Sequence, residues 1–236
     1  MDISLVWEHN GPDTLLYAID LPGAFTRGES FYHALDKLPG AVRGYLRWMG
    51  RETPEEITGH VVQEADCNLT VQDADSDVLF DSERLPLSRE QYAYWKALAL
   101  KSAEDFLRLY EAIPDKNQPL FPARRTFYGQ IPRTAKDIYL HTKNVNDYYF
   151  SEINVPSDHE GDILDCRRRG FAELEKQPDF LENPVLEGSY GEFWSPAKVL
   201  RRFLWHDRIH ARGLYRHAVV LYPNLPDIFC FQEEWT

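Results

Sequence analysis

Cysteine is scarce in this sequence: Cys67, Cys166 and Cys230 are the three among 236 residues. Their odd number, wide separation and lack of a C-x-x-C pair exclude a disulfide framework and a cysteine-ligated zinc site, so they read as packing residues. Long apolar runs are missing as well. No hydrophobic stretch approaches the roughly eighteen residues of a membrane helix, and no charged-then-apolar signal segment opens the chain. The expectation is a soluble, cytoplasmic protein without membrane association. Positive charge is in deficit, with 26 Lys and Arg against 38 Asp and Glu and a formal net charge of -12. That balance opposes binding to phosphate backbones, and nucleic acid is not expected as a partner. What is present is apolar surface: 43% hydrophobic and 14% aromatic residues, enough for one large domain or two small ones.

The first third of the chain reads as a small sheet with a helix on it. Ile3 to Glu8 and Thr14 to Asp20 have strand character around the turn residues His9 to Asp13. Pro22 and Gly23 force a tight turn, Phe25 opens a short third strand and Gly28 ends it. Ser30 is the N-cap of a helix carrying Phe31, Ala34, Leu35 and Leu38, and the helical spacing resumes after Pro39-Gly40 with Val42, Tyr45, Leu46 and Met49. Ile57 to Glu64 then alternates as a returning strand. The result is a β-β-β-α-β unit. The series Tyr17-x-x-Asp20-Leu-Pro-Gly23, then Gly28, then Ala34 resembles the HicB-type module of antitoxins. No DNA-binding segment follows it, so what the resemblance implies here is recognition of a partner protein. Asp73 to Asp77 and Pro86 mark an acidic, solvated connector, with Val78 to Phe80 as a last short strand; the spacing lacks the glycine and distal Glu of a calcium loop. The domains expected are residues 1–84 and 85–236.

The second part has the period of amphipathic helices. Ser88 and Gln91 begin one with Tyr92, Trp95, Leu98, Phe106, Tyr110 and Ile113 on its stripe, stopping before Pro114. Thr134 and Asp137 begin a second, with Ile138, His141, Val145, Tyr148 and Tyr149 on one side. A third covers residues 160–176. Ser195 caps a fourth, with Pro196 in its first turn and Val199, Phe203, Leu214 and Val219 along it. The tail from Tyr222, with Ile228, Phe229, Phe231 and Trp235, reads as an extended cover. The fold class is α+β, a small β-β-β-α-β domain followed by a four-helix bundle.

The chemistry is carried by histidine. His206 and His210 stand four residues apart in the fourth helix, so both imidazoles share a face. Two such ligands need one more from another helix to hold zinc or a similar divalent ion with a position left open, and His141 stands where a core residue is expected. A His from the second helix with His-x-x-x-His from the fourth resembles the DinB-like metal-binding four-helix bundles, over about residues 85 to 222. The resemblance implies one divalent ion, Zn or Ni, on His141, His206 and His210, and either thiol-dependent transfer or metal-assisted hydrolysis of a small-molecule substrate. It further implies a low-molecular-weight thiol as co-substrate, and a homodimer. Asn144 and Tyr148 share the His141 face and line the open side, or pack; Arg216 orients an anionic substrate, or pairs with a carboxylate. His217 reads as packing or as a neighbour of the ligands.

Two other readings compete. His206-Asp-Arg-Ile-His210 is close to the His-Glu-x-x-His of metalloproteases, but Asp207 is a methylene shorter than the required base. Arg216 also stands where that class has its third ligand, and the apolar pattern continues past Gly213. The other alternative is a non-enzymatic binding module, with the HicB-like part recognising a partner and the metal structural or vestigial.

Overall fold

The computed structural model describes residues 1–71, 75–126 and 129–234. Its fold is mixed α and β. Strands β1 (Asp2–Asn10), β2 (Asp13–Ala18) and β3 (Phe25–Gly28) form an antiparallel meander, and β4 (Thr58–Asp66) adds in parallel beside β1, giving the order β3-β2-β1-β4. A parallel return needs a crossover, supplied by helices α1 (Phe31–Asp36) and α2 (Leu38–Trp48). Ser30 caps α1, its hydroxyl accepting from His33 N at 3.2 Å. The helical pattern breaks at Lys37, just before the expected Pro39-Gly40, because Pro39 sits in the first turn of α2, where its missing N–H goes unused.

Strand alternation buries both faces of the sheet. Ile3, Leu5, Leu16 and Ala18 join the core that includes Leu38, Val42 and Tyr45, whereas Val6, Leu15, Tyr17 and Phe25 pack with Val71, Val78, Phe80 and Trp205. The second face is covered partly by the stretch expected to be a solvated connector. From residue 75 on it is tied down: buried Glu8 accepts from Asp77 N at 3.0 Å and Val78 N at 3.2 Å, and the Tyr17 hydroxyl lies 2.7 Å from Ser76 Oγ. Asp73 and Ala74 lie outside the described residues. Val78 to Phe80 is extended but no strand, since the Val78 and Phe80 N–H groups go to the carboxylates of Glu8 and Glu83 instead of a neighbouring ladder.

Helix α3 (Arg89–Ala112) starts on Ser88, whose hydroxyl accepts from Gln91 N, and ends before Pro114. A two-residue hairpin, β5 (Arg125–Thr126) and β6 (Gly129–Gln130), precedes α4 (Ala135–Ser151). That helix opens with a reciprocal box, Asp137 N to Thr134 Oγ1 at 3.1 Å and Thr134 N to Asp137 Oδ2 at 3.3 Å. Asp162 caps α5 (Ile163–Leu174). A second small hairpin, β7 (Leu186–Glu187) and β8 (Phe193–Trp194), leads to Ser195 and α6 (Pro196–Leu221). Helices α5 and α6 each pack against both α3 and α4.

One apolar core runs from the sheet through these four helices. Gly23 is the tightest joint between the two halves. Its φ of +89° suits glycine, and a Cβ there would lie 2.5 Å from the Leu204 Cβ of α6. The Leu-Pro-Gly turn therefore has a local reason in this chain: it lets the sheet approach α6. The tail is no extended cover but a 3-10 turn over Phe231–Glu234 against α2, with Glu234 Oε1 accepting from Arg208 Nη2 at 3.0 Å. Trp235 lies outside the described residues.

Candidate metal centre

Two helices of this fold bring three histidines together. Tyr149 stacks near Phe203 while His141 lies near His210, so α4 and α6 run in opposite directions and their facing columns meet in pairs. His141 comes from α4, His206 and His210 from α6, and one ligand-competent nitrogen of each lies within 4.8 Å of the others. The ring centroids are 4.3 Å apart for His206 and His210, 4.7 Å for His141 and His210, and 5.1 Å for His141 and His206. Nε2 of His210 is 3.1 Å from Nε2 of His206. Around a tetrahedral ion with Zn–N bonds near 2.0–2.1 Å, neighbouring nitrogens stand about 3.3 Å apart. Small ring rotations reach that spacing. Among the described residues, this cluster of three histidines could hold a metal ion.

The protonation state fits such an ion. Burial pushes the His206 imidazole well below its ordinary value, and His210, His141, Arg202 and Arg167 add to the effect. Burial likewise holds His210 well down, helped by His141 and by Arg27 of β3. His141 is exposed as a residue, yet desolvation by its neighbours still lowers its pKa. All three are thus neutral near pH 7, the form that ligates metal. His206 Nδ1 is buried without a hydrogen-bond partner, so no second contact fixes the tautomer that frees Nε2.

Those shifts set a pH dependence. A histidine whose folded pKa is depressed contributes stability that is complete above its unfolded value, about 6.5, and that is lost as the pH falls toward the folded value. Metal-free protein should lose urea resistance progressively on acidification from neutral pH. Replacing His206 by Gln should flatten that loss; an unchanged slope in the variant would show that the histidine cluster does not set it.

Beneath the triad lies the anchor of α6. Arg167 of α5 grips Asp207 with two bonds, Nη1 to Oδ2 at 2.5 Å and Nη2 to Oδ1 at 3.1 Å, and both side chains are fully buried. Its Nε donates to Asn146 Oδ1 of α4 at 3.0 Å and its Nη1 to Ala99 O of α3 at 3.1 Å. One side chain thus ties all four helices together at the residue next to His206. Asp207 is committed to Arg167, which removes it as the base of a His-Glu-x-x-His type protease.

Of the other sequence-derived residues, Tyr148 is half-buried, edge-on to Trp194 at 6.0 Å, and Asn144 is exposed on α4. Arg216 is exposed beyond the triad, and the nearby His217 packs its ring on Phe121 at 4.3 Å. The cation that the fold places next to the triad is Arg202, which lowers the His206 pKa. Its signal in the sequence was the same spacing that marked the histidines: residues 202, 206 and 210 form one column on a helix. Membrane-spanning character is not found, since no helix among the described residues is long and apolar enough to cross a bilayer. Comparison with protein-family models, with curated proteins and with solved structures gives no match.

Proposed function

We propose that this is a metal-dependent enzyme of the thiol-transferase or hydrolase type, acting on a small molecule with a single divalent ion held by His141, His206 and His210. The observation that carries the reading is the convergence of three neutral imidazoles from two facing helices, one of them at an exposed edge. Three protein ligands with an open side are the pattern of catalytic sites, whereas structural sites close with four. A divalent ion there supplies Lewis acidity, which lowers the pKa of a thiol or water entering the open side into the neutral range.

The chain's own part is to bind and orient. The Arg167–Asp207 anchor fixes the rotation of α6 and so the spacing of His206 and His210. Exposed His141 and Asn144 leave the site open to a small ligand from the α4 side. Zn or Ni suits imidazole ligands, and the resemblance to DinB-like bundles points to the same ions and to a low-molecular-weight thiol as co-substrate.

The test is whether the site has an exchangeable position. Protein loaded with Co(II), a spectroscopic stand-in for zinc, should develop a sulfur-to-cobalt charge-transfer band on titration with 3-mercapto-1-propanol. A cobalt-loaded protein whose spectrum ignores the thiol would have a closed, structural site, and the enzymatic reading would fall.

A further inference from the structure

Arg202 is the least compensated charge beside the triad. It is 8% exposed, and among the described residues no carboxylate forms an ion pair with it. Its neighbours in sequence are paired, Lys198 with Glu192 and Arg201 with Glu83. What surrounds Arg202 is aromatic: its Cζ lies 4.7 Å from the Trp205 ring and 5.5 Å from the rings of Tyr149 and Trp194. Ring faces stabilise a cation without neutralising it. Nη1 donates to Ser76 O at 2.7 Å, but Nε has no partner, and neither do the buried indole N–H groups of Trp194 and Trp205 that border the guanidinium. Three buried donors without an acceptor in one neighbourhood is unusual, since each such group costs about 1–3 kcal/mol when left unmet.

Arg202 is also oddly placed for a protein that binds only a cation. It stands one turn before His206, roughly 6 Å along the helix, and its field opposes positive charge on that histidine. The same field opposes a divalent ion on three neutral ligands, and Asp207, the carboxylate next to His206, is taken by Arg167. An anion between the ion and Arg202 removes the conflict.

Resting on the reading of the triad as an open metal site, we infer that Arg202 forms a carboxylate subsite beside it. The ligand enters the open side with one donor atom and places a carboxylate, two or three bonds away, on the Nε edge of the guanidinium. That edge offers the parallel N–H pair that matches a carboxylate. Tyr149 spans the two parts, its ring 5.9 Å from the His206 ring and packed beside Arg202. The substrate class is therefore a small carboxylic acid bearing a metal-seeking group such as a thiol.

The experiment compares two probes of equal length, 3-mercaptopropionate and 3-mercapto-1-propanol, titrated into cobalt-loaded full-length protein and followed by the charge-transfer band. A hydrogen-bonded charge contact is worth about 1.5–3 kcal/mol, so the carboxylate should bind roughly tenfold or more tightly. Arg202→Gln should bring the two affinities together while keeping its cobalt and its affinity for the alcohol, and Arg202→Lys should retain part of the preference. Because Arg202→Gln loses a buried contact and may unfold for that reason alone, the wild-type ratio is decisive by itself. A ratio near one in the wild type, or one that survives in Arg202→Gln, overturns the subsite. Failure to take up cobalt would instead overturn the metal site, and the subsite with it.

Discussion

Asp207→Ala is expected to destabilise the protein by about 3–5 kcal/mol, the range for stranding one member of a buried ion pair. The reasoning is local. Arg167 and Asp207 have no exposed surface, and removal of the carboxylate leaves a guanidinium in the core with only Asn146 and the Ala99 carbonyl as acceptors. Urea melts of metal-free protein measure the change. A control separates the pair's net worth from the penalty of stranding: Arg167→Met combined with Asp207→Leu should regain most of the loss, because apolar residues of similar volume remove the uncompensated charge. A loss below about 1 kcal/mol in Asp207→Ala would place this pair among weak surface-type bridges and contradict its role as anchor.

The second large effect concerns the ligands. Structural zinc contributes about 10–16 kcal/mol over four ligands, or roughly 3–4 for each, so losing one should weaken binding by roughly a hundred- to a thousandfold. His206→Ala and His210→Ala remove an imidazole from α6, and His141→Ala removes the one from α4. Metal at 1,000 times its Kd stabilises the folded state by about 4.1 kcal/mol, so zinc should raise the wild-type melting temperature and leave all three variants nearly unmoved. A variant that still responds to zinc like the wild type would not have lost a ligand.

Much of this arrangement was legible in the sequence because it rests on local rules. Ser30, Ser88, Thr134 and Ser195 each cap the helix they were expected to begin, since a side-chain acceptor ahead of an apolar period has few other uses. The i, i+4 pair and the core-facing His141 came from helical period alone, and the structure brings the three together. What stayed hidden depended on long-range partners. Val78 to Phe80 has strand composition, but the buried Glu8 carboxylate takes the Val78 N–H that a ladder would have used, and no local rule places Glu8 there. The acidic stretch from residue 75 looked solvated because its charges are visible in sequence, whereas the main-chain oxygens that bind Lys198 and Arg202 are not. Arg202 was passed over for Arg216 for a related reason. Both are arginines near the histidines in sequence, and burial among three aromatic rings is what separates them.

The HicB-like part of the reading has a physical counterpart in Gly23. Its turn packs on Leu204, two residues from His206, so the sheet supports the histidine helix from behind. Arg27 of β3 is near enough to depress the His210 pKa. On this account the small sheet helps to set the electrostatics of the metal centre, besides any partner it recognises.

The central claim is that His141, His206 and His210 hold one metal ion, and elemental analysis of the purified protein tests it most directly. After reconstitution with zinc and desalting, the account predicts one ion per chain in the wild type, and none in His141→Ala or His210→Ala of unchanged helical circular dichroism. Wild-type protein that folds and retains no metal, or a His141→Ala variant that retains a full equivalent, would contradict it.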